Sequence, residues 1–156
     1  MAVTIVHAET LHQIDAARKL FREYEAWLGI DLCFQGFETE LANLPGKYAR
    51  APGRLLLAYD DRKLAGCVAM RKFNDEICEM KRLYVRGRFR GRNIGNLLIE
   101  HLIDEAKSAG YDRMRLDTFP AKMAKAVRLY ESHGFVQIEP YYANPNDGVL
   151  FMEMSL

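Results

Sequence analysis

Cysteine is scarce in this chain: Cys33, Cys67 and Cys78 are an odd set with neither metal-ligand nor redox spacing. A reduced compartment is the natural expectation, and no metal site is expected. No charged and apolar signal segment opens the sequence, and no apolar run approaches the ~20 residues of a membrane span. The expectation is therefore a soluble, cytoplasmic protein without a membrane partner. Net charge is nearly absent too. Twenty-two Lys and Arg face 21 Asp and Glu, a balance of +1 that argues against a polyanion-binding surface and so against nucleic acid. Linkers, repeats and low-complexity tracts are missing, so residues 1–156 read as one domain long enough to bury a full core. Two phosphate loops are also missing. No Gly-Lys-Ser/Thr occurs, which removes the nucleoside-triphosphate loop. Gly87, Gly91 and Gly95 have the wrong spacing for the G-x-G-x-x-G of dinucleotide folds.

What is present centres on Glu79–Ile99, EMKRLYVRGRFRGRNIGNLLI. Met80, Leu83, Tyr84 and Val85 read as a strand, and Arg86 to Arg92 as a basic, glycine-containing turn. From Asn93 a helix is expected, because Ile94, Leu97, Leu98, Leu102, Ala106 and Ala109 recur on one apolar face. Strand, turn and amphipathic helix make a phosphate site: the first helical N–H groups lack partners, the helix dipole is positive there, and the arginines add full charges. Spaced at every second residue, Arg86, Arg88, Arg90 and Arg92 also suit a solvated face, or a nucleic-acid patch with Phe89 stacking.

The remaining chain supplies the other elements. Val3 to His7 reads as a strand, and Thr10 with Gln13 as a capping box opening a helix that Gly29 ends. Phe34 to Leu44 suggests a short helix stopped by Pro45-Gly46. Arg54 to Tyr59 and Leu64 to Lys72 read as strands around the turn 60–63, and Ile77 to Val85 is the strand feeding the central stretch. Beyond the stop at Gly110, a half-buried strand covers Met114, Leu116 and Thr118. Lys122 to His133 is helical, and strands follow at Phe135 to Pro140 and Val149 to Leu156, separated by a Tyr- and Asn-rich loop.

Arg90-Gly91-Arg92-Asn93-Ile94-Gly95 resembles the R/Q-x-x-G-x-G/A signature of the GNAT acetyltransferases. Ala126-Val127-Arg128-Leu129-Tyr130-Glu131-Ser132-His133-Gly134-Phe135 resembles that family's A-x-x-L-Y-E-x-x-G-F segment. The element order β-α-α-β-β-β-α-β-α-β-β is also the family's, so the resemblance covers nearly the whole chain. It implies an α/β (α+β) fold with a mixed central sheet, and an N-acetyltransferase that uses acetyl-coenzyme A and no metal. The acceptor would be an amine, of a small molecule or of a protein, attacked without a covalent acetyl-enzyme.

Carried over residue by residue, Arg90, Gly91, Arg92, Asn93, Ile94, Gly95 and Asn96 would hold the pyrophosphate, and Leu83, Tyr84 and Val85 the pantetheine arm and thioester carbonyl. In this family the fourth strand bulges and splays from the fifth, leaving an amide for the oxyanion. Tyr130 would protonate the leaving thiolate, although its apolar helical face also suits a core residue. Glu79 would take the amine's proton, or else be half of an ion pair near Lys81 and Arg82. It shares a face with Leu83 if no bulge intervenes, whereas Cys78 faces away. Phe34, Phe37, Tyr141, Tyr142 and Asn144 are the expected acceptor lining, against ordinary packing for each. His133 sits at a helix C-terminus, where it suits a dipole partner better than a catalyst.

Two positions depart from the family pattern. Asn93 replaces a glycine, yet asparagine tolerates unusual dihedrals and keeps its N–H. Met123 stands where many members have a coenzyme-contacting asparagine. The resemblance also leaves room for a non-catalytic coenzyme sensor, for transfer of a longer acyl group, and for a homodimer that no stretch here specifies.

Overall fold

Local signals set the first helix. The Thr10 hydroxyl accepts the Gln13 N–H at 3.2 Å, and the Gln13 side chain accepts the Thr10 N–H at 3.1 Å. Gly29, at φ 71°, closes the other end by donating to the Glu25 carbonyl. A computed structural model describes residues 2–32 and 36–156. Its strands are β1 (Val3–His7), β2 (Arg54–Asp60), β3 (Lys63–Lys72), β4 (Ile77–Val85), β5 (Arg113–Thr118), β6 (Val136–Gln137) and β7 (Leu150–Ser155). Its helices are α1 (Leu11–Leu28), α2 (Phe37–Ala42), α3 (Ile94–Ser108) and α4 (Pro120–Ser132). The element order and the mixed sheet are those expected.

All seven strands form one sheet, ordered β1-β2-β3-β4-β5-β7-β6, with α1 and α2 packed on one face and α3 on the other. The β2–β3 hairpin turns on Asp61 and Arg62, both left-handed, the twist that a two-residue hairpin loop needs. Strands β4 and β5 run parallel but pair only from Ile77↔Arg113 to Glu79↔Arg115. Beyond Glu79 they part, while β5 continues to pair with β7 through Thr118↔Leu150. A wedge therefore opens in mid-sheet.

Strand β4 also carries a bulge. Its register against β3 shifts between Ala69↔Lys81 and Cys67↔Tyr84, and Arg82 takes φ 62°. One extra residue reverses the alternation of every later side chain. Glu79, Lys81, Arg82 and Tyr84 consequently face α1 and α2, whereas Cys78, Met80 and Leu83 lie in the α3-side core. The condition on which Glu79 and Leu83 would share a face fails, and they point to opposite sides. On the β3 side, a Cβ on Gly66 would stand 2.6 Å from the Tyr84 carbonyl, so only glycine allows the backbones to come this close.

Three element boundaries differ from the sequence expectation. Helix α4 starts at Pro120, whose missing N–H costs nothing in a first turn, and departs from helical geometry at Met123. Strand β6 is two residues long rather than six; Phe135 is buried against Tyr130, and Pro140 brings no ladder donor. Helix α2 covers only Phe37–Ala42, and Phe34 lies outside the described residues.

Candidate active site

The turn after β4 leads into α3 through two left-handed residues, Gly91 (φ 77°) and Asn93 (φ 65°). Asn93 adopts the geometry that its family counterpart, a glycine, reaches at less cost. The first intrahelical bond is Leu97 N–H to Asn93 O at 3.1 Å. The amides of Ile94, Gly95 and Asn96 precede it, and these are the donors that an α-helix leaves open for an anion. They line a groove of about 720 Å³ together with Leu83, Tyr84, Val85, Arg90, Gly91 and Asn93.

Tertiary contacts split the arginine run. Arg86 holds Glu23 at 3.0 and 2.8 Å, Arg92 holds buried Asp60 at 2.9 Å, and Arg88 lies over Phe89. Arg90 alone of the four lines the groove, 4.7 Å over the Trp27 ring, with Nε donating to the Val85 carbonyl. The counterpart charges come from α4, which was not expected to supply them: Lys122, Lys125 and Arg128 line the opposite wall. Their spacing of three residues was the available signal. Among the described residues, no acidic side chain lines this groove. His133 joins the two helices, its Nε2 standing 2.7 Å from the Asn96 side-chain oxygen.

Where β4 and β5 part lies a cavity of about 20 Å³, room for roughly one water, bordered by Lys81, Leu83, Asp117, Met123 and Tyr130. The Tyr130 ring packs edge-on against Phe135, 5.7 Å between centroids. Burial raises the hydroxyl's pKa well above the ordinary tyrosine value, with Tyr24 and the Asp117 charge adding to the rise. Tyr130 is thus a neutral donor throughout the physiological range. Met123 borders both this cavity and the groove, and its sulfur accepts from the Thr118 hydroxyl at 3.7 Å.

On the α1/α2 face a second pocket, about 610 Å³, is lined by Glu79, Lys81, Arg82, Arg71, Lys47 and Tyr142, among others. Glu79 is wholly buried. Its Oε1 accepts from Arg71 Nε at 2.7 Å and lies 3.9 Å from Lys81 Nζ, and its Oε2 accepts from the Tyr141 hydroxyl at 2.5 Å. Burial first, then the Glu79 charge, raises the Tyr141 pKa far above normal. Lys81 reaches Asp117 at 3.6 Å, the Tyr142 hydroxyl donates to Asp117, and Asn144 Nδ2 donates to the Tyr142 oxygen at 2.8 Å. Tyr141, Tyr142 and Asn144 are thus brought beside Glu79 and Asp117. Phe37 is buried in the α1-side core beneath Arg82, whose guanidinium lies 5.2 Å over its ring.

Cys78, on the opposite face from Glu79, donates its Sγ–H to the Arg113 carbonyl at 3.6 Å, and burial pushes its thiol up to about 12. A thiol so poised holds its proton at neutral pH and is no nucleophile. Cys78→Ala is expected to retain kcat within about twofold at a stability cost of about 1 kcal/mol. A burst of thiol release that the variant abolishes, with coenzyme binding intact, would point instead to a covalent route. Among the described residues no group of three or more His, Cys, Asp or Glu side chains could hold a metal ion, and no helix is long and apolar enough to cross a membrane.

Residues 14–135 match the model of the acetyltransferase (GNAT) family. An uncharacterised N-acetyltransferase of Schizosaccharomyces pombe is 40% identical over 99% of this chain and 95% of its own. Among solved structures, an acetyltransferase from Streptococcus agalactiae superposes with a TM-score of 0.80 at 21% identity, covering 99% of this chain and 98% of that one. An N-acetyltransferase from Thermoplasma acidophilum in complex with coenzyme A superposes at 0.74 and 17% identity over all of both chains. With the split sheet, the β4 bulge and the anion-ready turn in one chain, this protein belongs to the GNAT family and is a GNAT-type N-acetyltransferase.

Proposed function

We propose that the protein transfers acetyl from acetyl-coenzyme A directly to an acceptor amine. The observation that carries this reading is the acid-free cationic groove, which includes the open amides of α3 and Leu83 to Val85 of the split strand. Such a groove suits a ligand with a polyanionic head and a slender arm. Acetyl-coenzyme A, the donor of this family, would supply an activated thioester carbonyl at the split between the strands. Ile94, Gly95 and Asn96 offer main-chain N–H groups to the pyrophosphate, with Arg90, Lys122, Lys125 and Arg128 around them. Leu83 and Val85, on the part of β4 beyond its last pairing with β5, offer main-chain donors for the arm and the developing oxyanion. Tyr130 gives its proton to the departing thiolate.

The amine's proton leaves towards Glu79. Its Oε2 already accepts from Tyr141, so the route passes through that hydroxyl: Tyr141 oxygen takes the amine proton as its own moves to Glu79. The experiment is thiol release from acetyl-coenzyme A against a panel of amines, wild type beside Glu79→Gln. For the wild type, kcat/KM should hold nearly level from about pH 7.5 to 9. For the variant it should start at least 10-fold lower and climb roughly tenfold per pH unit towards the amine's pKa of ~10, because only amine that has already lost its proton to solvent then reacts. Parallel profiles would remove Glu79 from the proton route. Tight coenzyme binding without turnover on any amine would replace the transferase reading by a sensing one.

A further inference from the structure

The pocket beside Glu79 carries more positive than negative charge among its lining side chains. Lys47, Arg71, Lys81 and Arg82 line it against Glu40 and Glu79, a balance of +2 from four cations and two carboxylates. These cations are not equivalent. Arg82 and Lys81, with side chains 3% and 9% exposed, are turned inward, Arg82 forming a two-point pair with Glu40 and Lys81 standing between Glu79 and Asp117. Arg71 commits its Nε to Glu79 but keeps its side chain 30% exposed, and Lys47 is exposed. Two cations thus present charge to whatever enters, and Lys81 and Arg82 also border the small cavity where the strands part.

From this asymmetry we infer that the acceptor is a small amine that itself carries a carboxylate, of amino-acid size, and that Arg71 and Lys47 are its specificity-determining residues. The inference rests on the transferase reading of the same site. The carboxylate docks on Arg71 and Lys47, and the amine is directed past Lys81 to the split. This placement also helps the chemistry, since a cation beside an ammonium lowers its pKa and favours the neutral nucleophile. Polycationic amines meet the same cations as repulsion without a compensating carboxylate. The pocket volume of about 610 Å³ lies within the range for small-molecule sites.

The test measures kcat/KM by thiol release for glutamate and β-alanine, for the glutamate diamide and β-alaninamide, and for spermidine, at matched concentrations of free amine. The enzymes are wild type, Lys47→Glu and Arg71→Gln, and coenzyme Kd is measured on each. Lys47 stands outside the hydrogen-bonded Glu79 group, so its reversal probes charge alone. The wild type should favour at least one carboxylate-bearing amine over its amide by about 10-fold or more. Each variant should raise KM for that amine by about 10-fold and leave coenzyme Kd in place, and Lys47→Glu, outside the Glu79 group, should change KM for the amide less than twofold. The proposal fails if an amide or spermidine is turned over as well as the acids, or if the variants leave the preference unmoved. It fails equally if no carboxylate-bearing amine is turned over. Turnover of the amides or spermidine would then keep the transferase reading, whereas loss of coenzyme binding in the wild type would remove that reading as well.

Discussion

Replacing Tyr130 by phenylalanine is expected to lower kcat by about 10²-fold or more while coenzyme Kd stays within about twofold. The substitution deletes one oxygen at the junction of β4, β5 and α4 and keeps the ring, so the edge-on contact with Phe135 and the surrounding packing survive. On the proposed role, the proton for the leaving thiolate goes with it, in a place with room for roughly one water. The pH behaviour follows from the sign of the shift. Burial raises the Tyr130 pKa above the ordinary 10.0, so the hydroxyl is fully protonated up to pH 10, and the deficit of the variant should be the same at pH 7 as at pH 9. Steady-state kinetics beside isothermal titration of the coenzyme would check both statements. An unchanged kcat would make Tyr130 a packing residue and leave protonation of the thiolate to solvent.

The second large effect concerns stability. Arg82→Leu is expected to cost about 3–5 kcal/mol, because it strands the Glu40 carboxylate in a largely buried site, where the Tyr48 hydroxyl still donates to it but its cation is gone. For a chain of this size that lowers Tm by about 10 °C, at roughly 2–4 °C per kcal/mol. The leucine would also lose the guanidinium stacked on Phe37 and would itself have to adopt φ 62°. Adding Glu40→Gln should recover about 1–2 kcal/mol, since removing both charges avoids the desolvated, uncompensated one. Thermal denaturation of the two variants decides the matter. A single variant that melts within about 2 °C of wild type would show that the pair contributes little and that the bulge is held by its ladder bonds.

The Arg82 prediction depends on the bulge in β4, and the bulge is where reading the sequence alone reached its limit. A strand alternates with period two, and the only warning of an inserted residue was the family resemblance. The insertion turns Arg82 to the α2 side and Leu83 to the α3 side, so Glu79 and Leu83 lie on opposite faces. A similar limit applies to charge. Four arginines at alternate positions look equivalent along the chain, yet Arg86 finds Glu23 sixty-three residues away and Arg92 finds Asp60 thirty-two away. What remains for a ligand is Arg90, joined by three cations from α4.

The sequence by itself determined the element order, the capping of α1, the left-handed turn into α3 and the place of Tyr130 in its motif. Those features depend on short-range physics: side-chain periodicity, backbone donors within a few residues, and the dihedral tolerance of Gly and Asn. Only the tertiary structure decided which face each β4 side chain takes, which of the arginines stay out of ion pairs, and that the pocket beside Glu79 is lined by more cations than carboxylates. Those depend on pairings between residues far apart in the chain and on a one-residue change of register, and neither leaves a periodic trace in the local sequence.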